Sequence, residues 1–166
     1  MRLDPSRLAA LRRAVILDTG PERAFDDLTR LMASTLAVPI TLVNLLDAQR
    51  DWFKSSVGTQ QAEGPTATSF CESFFESDCE LIVVEDTLLD RRFNQHPLVV
   101  AAPRIRFYAA ARLSVGGQTL GTLCAYDMRP RQLLPEQRDQ LRTMGRAVVE
   151  LLARRGAPPA AVSLTG

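Results

Sequence analysis

The chain has 166 residues, is 46% apolar and 23% charged, and sets 20 basic against 19 acidic side chains for a formal charge of +1. A domain of this length buries roughly 70% of the surface its unfolded chain exposes, so a core forms without disulfides or a structural metal, and disordered and mini-protein architectures are excluded. Near-neutral charge without long runs of one sign supplies no field for nucleic acid or anionic lipid.

The elements follow in chain order. Asp4 and Pro5 suit the N-cap and first turn of a helix with apolar face Leu8, Leu11 and Val15, ended by Gly20. Pro21 and Glu22 open a second helix, whose Phe25, Leu28, Met32 and Leu36 keep amphipathic spacing until Pro39. A β-rich run from Ile40 to Leu46, a turn over 47–50 and a strand from Asp51 to Val57 predict a hairpin. Residues 58–68 lack an apolar period and read as a long loop. Ser69-Phe70-Cys71-Glu72 has the form of a capping box before a short helix faced by Phe70, Phe74 and Phe75. Leu81 to Val84 reads as a strand, and 85–103 as irregular or short-helical. Strands Ile105 to Val115 and Gln118 to Met128 are joined by Gly116-Gly117, a two-residue turn that suits glycine at positive φ. A last helix opens at Pro135, carries a stripe through Leu134, Leu141, Met144, Val148, Leu151 and Leu152, and ends at Gly156. Two hairpins with short connections predict an α+β fold built on an antiparallel sheet with helices on its faces. Residues 1–155 form a single domain, and the Pro/Ala-rich stretch 156–166 is expected to be a disordered tail.

Neither an apolar run of about 18 residues nor a signal-peptide core is present, so a cytoplasmic location without membrane attachment is expected. Cysteines at 71, 79 and 124 form no Cys-x-x-Cys pair and suit free thiols in a reducing compartment.

Several motifs stand in one fixed order: Leu17-Asp18-Thr19, Val38-Pro39-Ile40, Trp52-Phe53-Lys54-Ser55, Ser69-Phe70-Cys71, Asp90-Arg91-Arg92-Phe93, Arg106-Phe107-Tyr108-Ala109, Gly121-Thr122-Leu123-Cys124 and Asp127-Met128-Arg129-Pro130-Arg131. Together they closely resemble bacterial GAF domains, of the kind that precede histidine kinases, diguanylate cyclases and phosphodiesterases. That resemblance covers residues 10–153. It implies a GAF/profilin-like, antiparallel five- to six-stranded sheet between helical layers, a small-molecule pocket on one face, and terminal helices that pair in a homodimer. The short stretch after the last helix leads to the expectation of no attached output domain and of a separate signalling enzyme as partner.

The scarce residues bound the chemistry. His96, the single histidine, lies in Asn94-Gln95-His96-Pro97 and has no second histidine with which to build a triad or a His-rich metal site. A covalent bilin is disfavoured because the Cys-His pair of phytochrome-like GAF domains is absent, and the Asn-Lys-x-Phe-Asp-Glu signature of cyclic-nucleotide GAF domains is missing too. Some stand-alone GAF proteins are free methionine-(R)-sulfoxide reductases that use two or three cysteines. Here, however, the strand that should hold the catalytic cysteine, Ile105 to Ala111, contains none. Cys71, at the start of its helix, is either a pocket thiol or a small core residue.

Alternation separates the faces of the 105–115 strand. Ile105, Phe107, Ala109, Ala111, Leu113 and Val115 are wholly apolar and should pack on helices; Arg106, Tyr108, Ala110, Arg112 and Ser114 face either solvent or a polar pocket. The resemblance places the pocket on that second face. Arg112, where related domains carry an apolar residue or proline, would with Tyr108 favour an anionic or carbonyl-bearing ligand. Trp52, Phe70 and Phe93 are candidates for the pocket wall or for core, and Asp90 for ligand contact or for turn pairing with Arg91 or Arg92. The ligand-binding candidates are thus Trp52, Phe70, Cys71, Asp90, Phe93, Arg106, Tyr108 and Arg112, with no catalytic residue, metal ligand or cofactor assigned. Three functions remain open: a non-catalytic small-molecule sensor, a thiol-based sulfoxide reductase, and an interaction module with no ligand.

Overall fold

The computed structural model describes residues 1–156, so the tail expected over 156–166 lies, beyond Gly156, outside the described residues. Helix α1 (Pro5–Arg13) and helix α2 (Arg23–Leu36) lead into strands β1 (Ile40–Leu46), β2 (Arg50–Val57) and β3 (Glu63–Pro65). Two 3-10 segments (Thr66–Thr68 and Phe70–Glu76) precede β4 (Leu81–Val84), and a further 3-10 turn and the short helix α3 (Pro97–Val100) precede β5 (Phe107–Val115), β6 (Gln118–Asp127) and helix α4 (Pro135–Arg155). The six strands form one antiparallel sheet in the order β3-β2-β1-β6-β5-β4.

Each face of the sheet has its own core. Leu11 of α1, Phe25, Met32 and Leu36 of α2, and Leu141, Met144 and Val148 of α4 pack with Val43, Leu45, Phe107, Ala109, Leu113 and Leu123. Against the opposite face, Phe70, Phe74, Phe93 and Val99 pack on Leu42, Leu46, Tyr108, Ala110, Cys124 and Tyr126. Strand β1 is covered on both sides, which is why its sequence reads as a near-continuous apolar run. Gly116 and Gly117 both take positive φ, +57° and +78°, and turn β5 back into β6 as the two-residue loop requires.

Four expectations need correction. Helix α1 stops at Arg13 because Val15 adopts a left-handed φ of 47°; Val15 is therefore exposed, and Leu11 is consumed by the helical core. The long loop 58–68 holds an extra edge strand, β3, paired with the start of β2. Ser69 and Glu72 form no capping box, since Ser69 Oγ donates to Asp51 Oδ2 at 2.5 Å and Glu72 Oε2 accepts from Arg2 Nε at 2.7 Å. Leu134 caps α4 from outside and is exposed, while Leu133 takes the buried place.

One irregularity sets the lining of the sheet. Between Val43 and Asn44 the register of β1 with β2 shifts, so Val43 faces Ser55 while Asn44 faces Phe53, and Lys54 is the extra residue. A bulge turns consecutive side chains toward one side. Lys54 Nζ reaches Glu22 Oε2, Gly20 O and Thr19 Oγ1 at 2.5–2.8 Å, and Ser55 Oγ donates to Asp26 Oδ1 at 2.6 Å, both in the helical layer. Phe53 stays on the other face.

A candidate ligand cleft

On the face away from the long helices a cleft of about 640 Å³ opens between β1, β2, the 58–70 segment and the 98–105 segment. Its walls are apolar: Ile40 and Leu42 of β1, Phe53 of β2, Phe70, Leu98, Pro103, Ile105 and Tyr126. Thr59, Gln61 and Thr68 border it, and buried Asn44 and Asp51 with half-buried Ser69 supply its polar end. A mostly apolar concavity of this size with few convergent polar groups is the usual form of a small-molecule site.

Those polar groups belong to a single network. Arg2, 6% exposed, donates from Nη2 to Asp51 Oδ1 at 2.7 Å, from Nε to Glu72 Oε2 at 2.7 Å and from Nη1 to the carbonyl of Asp47 at 2.7 Å. Asp51 Oδ2 accepts from Asn44 Nδ2 at 2.9 Å as well as from Ser69. Because a carboxylate only accepts, this contact fixes which end of the Asn44 amide is Nδ2. The remaining atom, Asn44 Oδ1, is buried without a hydrogen-bond partner. Asn44 Nδ2 also lies 3.5 Å from Cys71 Sγ, which is in turn 3.0 Å from Thr122 Oγ1 and 3.2 Å from Tyr108 OH.

Burial opposes ionisation of the Cys71 thiol, yet the hydrogen bonds from Cys124, Thr122 and Tyr108 outweigh it and hold Cys71 below the ordinary thiol value. Burial pushes Cys124 and Tyr108 up. His96, its ring tilted 38° to that of Phe70 with centroids 4.2 Å apart, accepts from the Leu98 amide at Nδ1, and burial lowers its pKa.

Of the residues singled out in the sequence, Phe70 lines the cleft. Phe93 backs it at 5.0 Å between ring centroids, and Tyr108, wholly buried, joins the same aromatic cluster at 5.2 Å from Phe70. Cys71 lies behind Asn44. Trp52 packs into the helical core across the sheet. Asp90 caps its own turn, accepting from the Arg92 backbone at 2.9 Å and pairing with the Arg92 guanidinium at 2.7 Å; it borders a separate, shallower depression with Asp86 and Arg131. Arg106 precedes β5 and pairs with Asp86 at 3.0 Å. The guanidinium of Arg112 is spent on the carbonyls of Ser77 and Cys79 and on Thr119 Oγ1, and lies over the Phe74 ring. The expected polar face of β5 is thus apolar at its centre, because Tyr108 and Ala110 are sealed in the second core.

Asn44, Asp51, Ser69 and Arg2 escaped the sequence reading. A signal existed for one of them, since Asn44 is a lone amide in the apolar run Thr41 to Leu46, and a buried polar residue in a central strand calls for a reason. Among the described residues no group of three His, Cys, Asp or Glu is placed to hold a metal ion, and no helix is long and apolar enough to cross a membrane.

Comparison with known proteins gives the arrangement a lineage. Over 133 residues, 80% of this chain, the sequence is 37% identical to a cyclic di-GMP phosphodiesterase of Pseudomonas aeruginosa, of which it spans 22% of the length. The fold matches the GAF domain of an Acinetobacter phosphoenolpyruvate-protein phosphotransferase with a TM-score of 0.66 at 17% identity, covering 92% of this chain and 95% of that one. A free methionine-R-sulfoxide reductase from Neisseria meningitidis superposes with a TM-score of 0.63 at 13% identity, over 89% and 90% of the two chains. The sequence pattern described as "GAF domain" matches residues 20–154, most of the chain, so the protein belongs to the GAF domain family.

Proposed function

We propose that this domain is a non-catalytic sensor that binds a small molecule in the 640 Å³ cleft and passes its occupancy to an output enzyme through its terminal helices. The observation that carries the reading is that Asp51, a lining residue, is also the anchor of Arg2, whose backbone carbonyl accepts from Arg7 Nε of α1 at 2.8 Å. A ligand that moves Asp51 therefore moves the start of α1. The identity to part of a cyclic di-GMP phosphodiesterase supports an output in cyclic di-GMP turnover, in the same chain or in a separate partner. Paired terminal helices of two copies, in the cytoplasm, complete the reading.

Native mass spectrometry of freshly purified protein, followed by a thermal-shift panel of nucleotides, amino acids, organic acids and neutral aromatics, tests it. A copurified molecule or a rise in Tm is expected, and hydrogen exchange at residues 1–13 should slow with it. Failure of every class of compound to bind would overturn the sensor reading in favour of an interaction module.

A second reading, thiol-based sulfoxide reduction, is favoured by the donors that converge on Cys71. Against it stands the burial of both Cys71 and Cys124 at 0% exposure, which leaves neither sulfur open to a substrate in this conformation.

A further inference from the structure

We infer that the cleft selects an uncharged or cationic, largely apolar molecule bearing a hydrogen-bond donor, and rejects anions. This rests on the proposed role of the cleft as a ligand site. Among the described residues, no lysine, arginine or histidine lines the cleft, and Asp51 is the one charged side chain there. Of the basic groups near its rim, Arg50 pairs with Asp18, Glu63 and Asp47, Arg106 pairs with Asp86, and Arg104 donates to the carbonyl of Val100; His96, behind Phe70 and outside the lining, keeps a buried Nε2 without a partner. Arg2 neutralises Asp51 from behind but turns its donors to Asp51, Glu72, Ser69 and backbone carbonyls. An incoming anion would lose its hydration and meet a carboxylate with no cation left to receive it.

Hydrogen-bond polarity points the same way. Asn44 Oδ1, in a lining residue, is an acceptor with no partner and is sealed from solvent, so a ligand meets it by displacing the side chains that cover it. A buried acceptor left unmade costs free energy that a ligand N–H or O–H recovers and a ligand acceptor does not. The walls given by Leu42, Phe53, Phe70 and Tyr126 favour a planar apolar body around that donor. The same geometry runs against the anionic ligand that Arg112 and Tyr108 suggest from sequence, because neither lines the cleft.

The test uses indole, whose single N–H is its donor, against 1-methylindole, which lacks it, tryptamine, which adds a cation, and indole-3-acetate, which adds an anion. Thermal shift and calorimetry on the full chain should show indole and tryptamine binding, 1-methylindole about tenfold more weakly, and indole-3-acetate not at all. In Asn44→Leu protein the difference between indole and 1-methylindole should vanish, which isolates the Oδ1 contact from general packing. Equal binding of indole and 1-methylindole by the natural chain, indole-3-acetate binding as well as indole, or no binding of indole would overturn the inference. If anions from the wider panel bind while these neutral and cationic probes do not, the ligand class is wrong and the sensor reading stands; if nothing binds, the sensor reading itself fails.

Discussion

Arg2 and Asp51 form an ion pair 2.7 Å long in which the two side chains are only 6% and 7% exposed. The second residue of the chain is thereby fastened to the second strand of the sheet, beside the cleft. Removing one member of a buried pair leaves a charge without compensation, at a cost of about 3–5 kcal/mol. Arg2→Met should lower the urea midpoint accordingly, whereas the double variant Arg2→Met/Asp51→Asn should recover part of the loss. Equal stability of Arg2→Met and the natural chain would show that the latch is not formed in solution.

The close approach of β1 and β6 makes a second prediction. A Cβ on Gly121 would stand 2.0 Å from the backbone oxygen of Asn44, and backbone cannot swing aside as a flexible side chain does. Gly121→Ala should therefore force the strands apart and destabilise the fold by roughly 1–3 kcal/mol or more. Because the displaced residue is Asn44, binding in the cleft should weaken in the same variant. Gly20→Ala, at a position with open space, is the control and should leave both unchanged.

Acid sensitivity is expected at Glu22. Lys54 Nζ, with its side chain fully buried, lies 2.5 Å from Glu22 Oε2, and Arg155 donates to the same carboxylate at 2.7 Å. The hydrogen bond from Lys54 holds Glu22 below the ordinary carboxylate value of 4.5. A carboxylate depressed in the folded state contributes its stability above the unfolded pKa and loses it as pH falls through the folded one. Chemical denaturation from pH 6 downward should show this loss beginning near 4.5, and Glu22→Gln should flatten that part of the profile while lowering stability at pH 7.

Thiol reactivity separates the cysteines. Cys79 is exposed, whereas Cys71 and Cys124 are buried. A disulfide reagent such as DTNB should titrate one thiol per native chain and all three in guanidinium. Turnover of free methionine sulfoxide that disappears in Cys71→Ser would require the second core to open and would restore the reductase reading.

Local pattern and long-range position divide what the sequence made legible. The span of β1, the glycine turn at 116–117 and the opening of α1 at Asp4 and Pro5 depend on neighbours within a few residues, and the sequence displays them. Ser69 and Glu72 show the limit of that reasoning. Their spacing matches a cap, but partners from elsewhere in the chain, Asp51 and Arg2, claim both side chains. Arg112 shows the same limit, since alternation gives its face but not the carbonyls of Ser77 and Cys79 that wrap its guanidinium. The cleft draws its lining from positions 40 to 126, and its polar end depends on Arg2 pairing with a residue 49 positions away, a contact no periodicity encodes.

The bulge at Lys54 gives β2 two independent frames. Upstream, alternation offers Asp51 and Phe53 to the cleft; downstream, it hands Ser55 to the helices, and the extra residue absorbs the mismatch. Excising Lys54 would leave Phe53 and Ser55 as neighbours on opposite faces, so both layers would keep their side chains and the loss would be the ammonium that holds Glu22, Gly20 and Thr19. The strand is in effect spliced from two reading phases, so substitutions at Asp51 and Phe53 alter what the cleft presents while those at Lys54 and Ser55 alter how the helices sit.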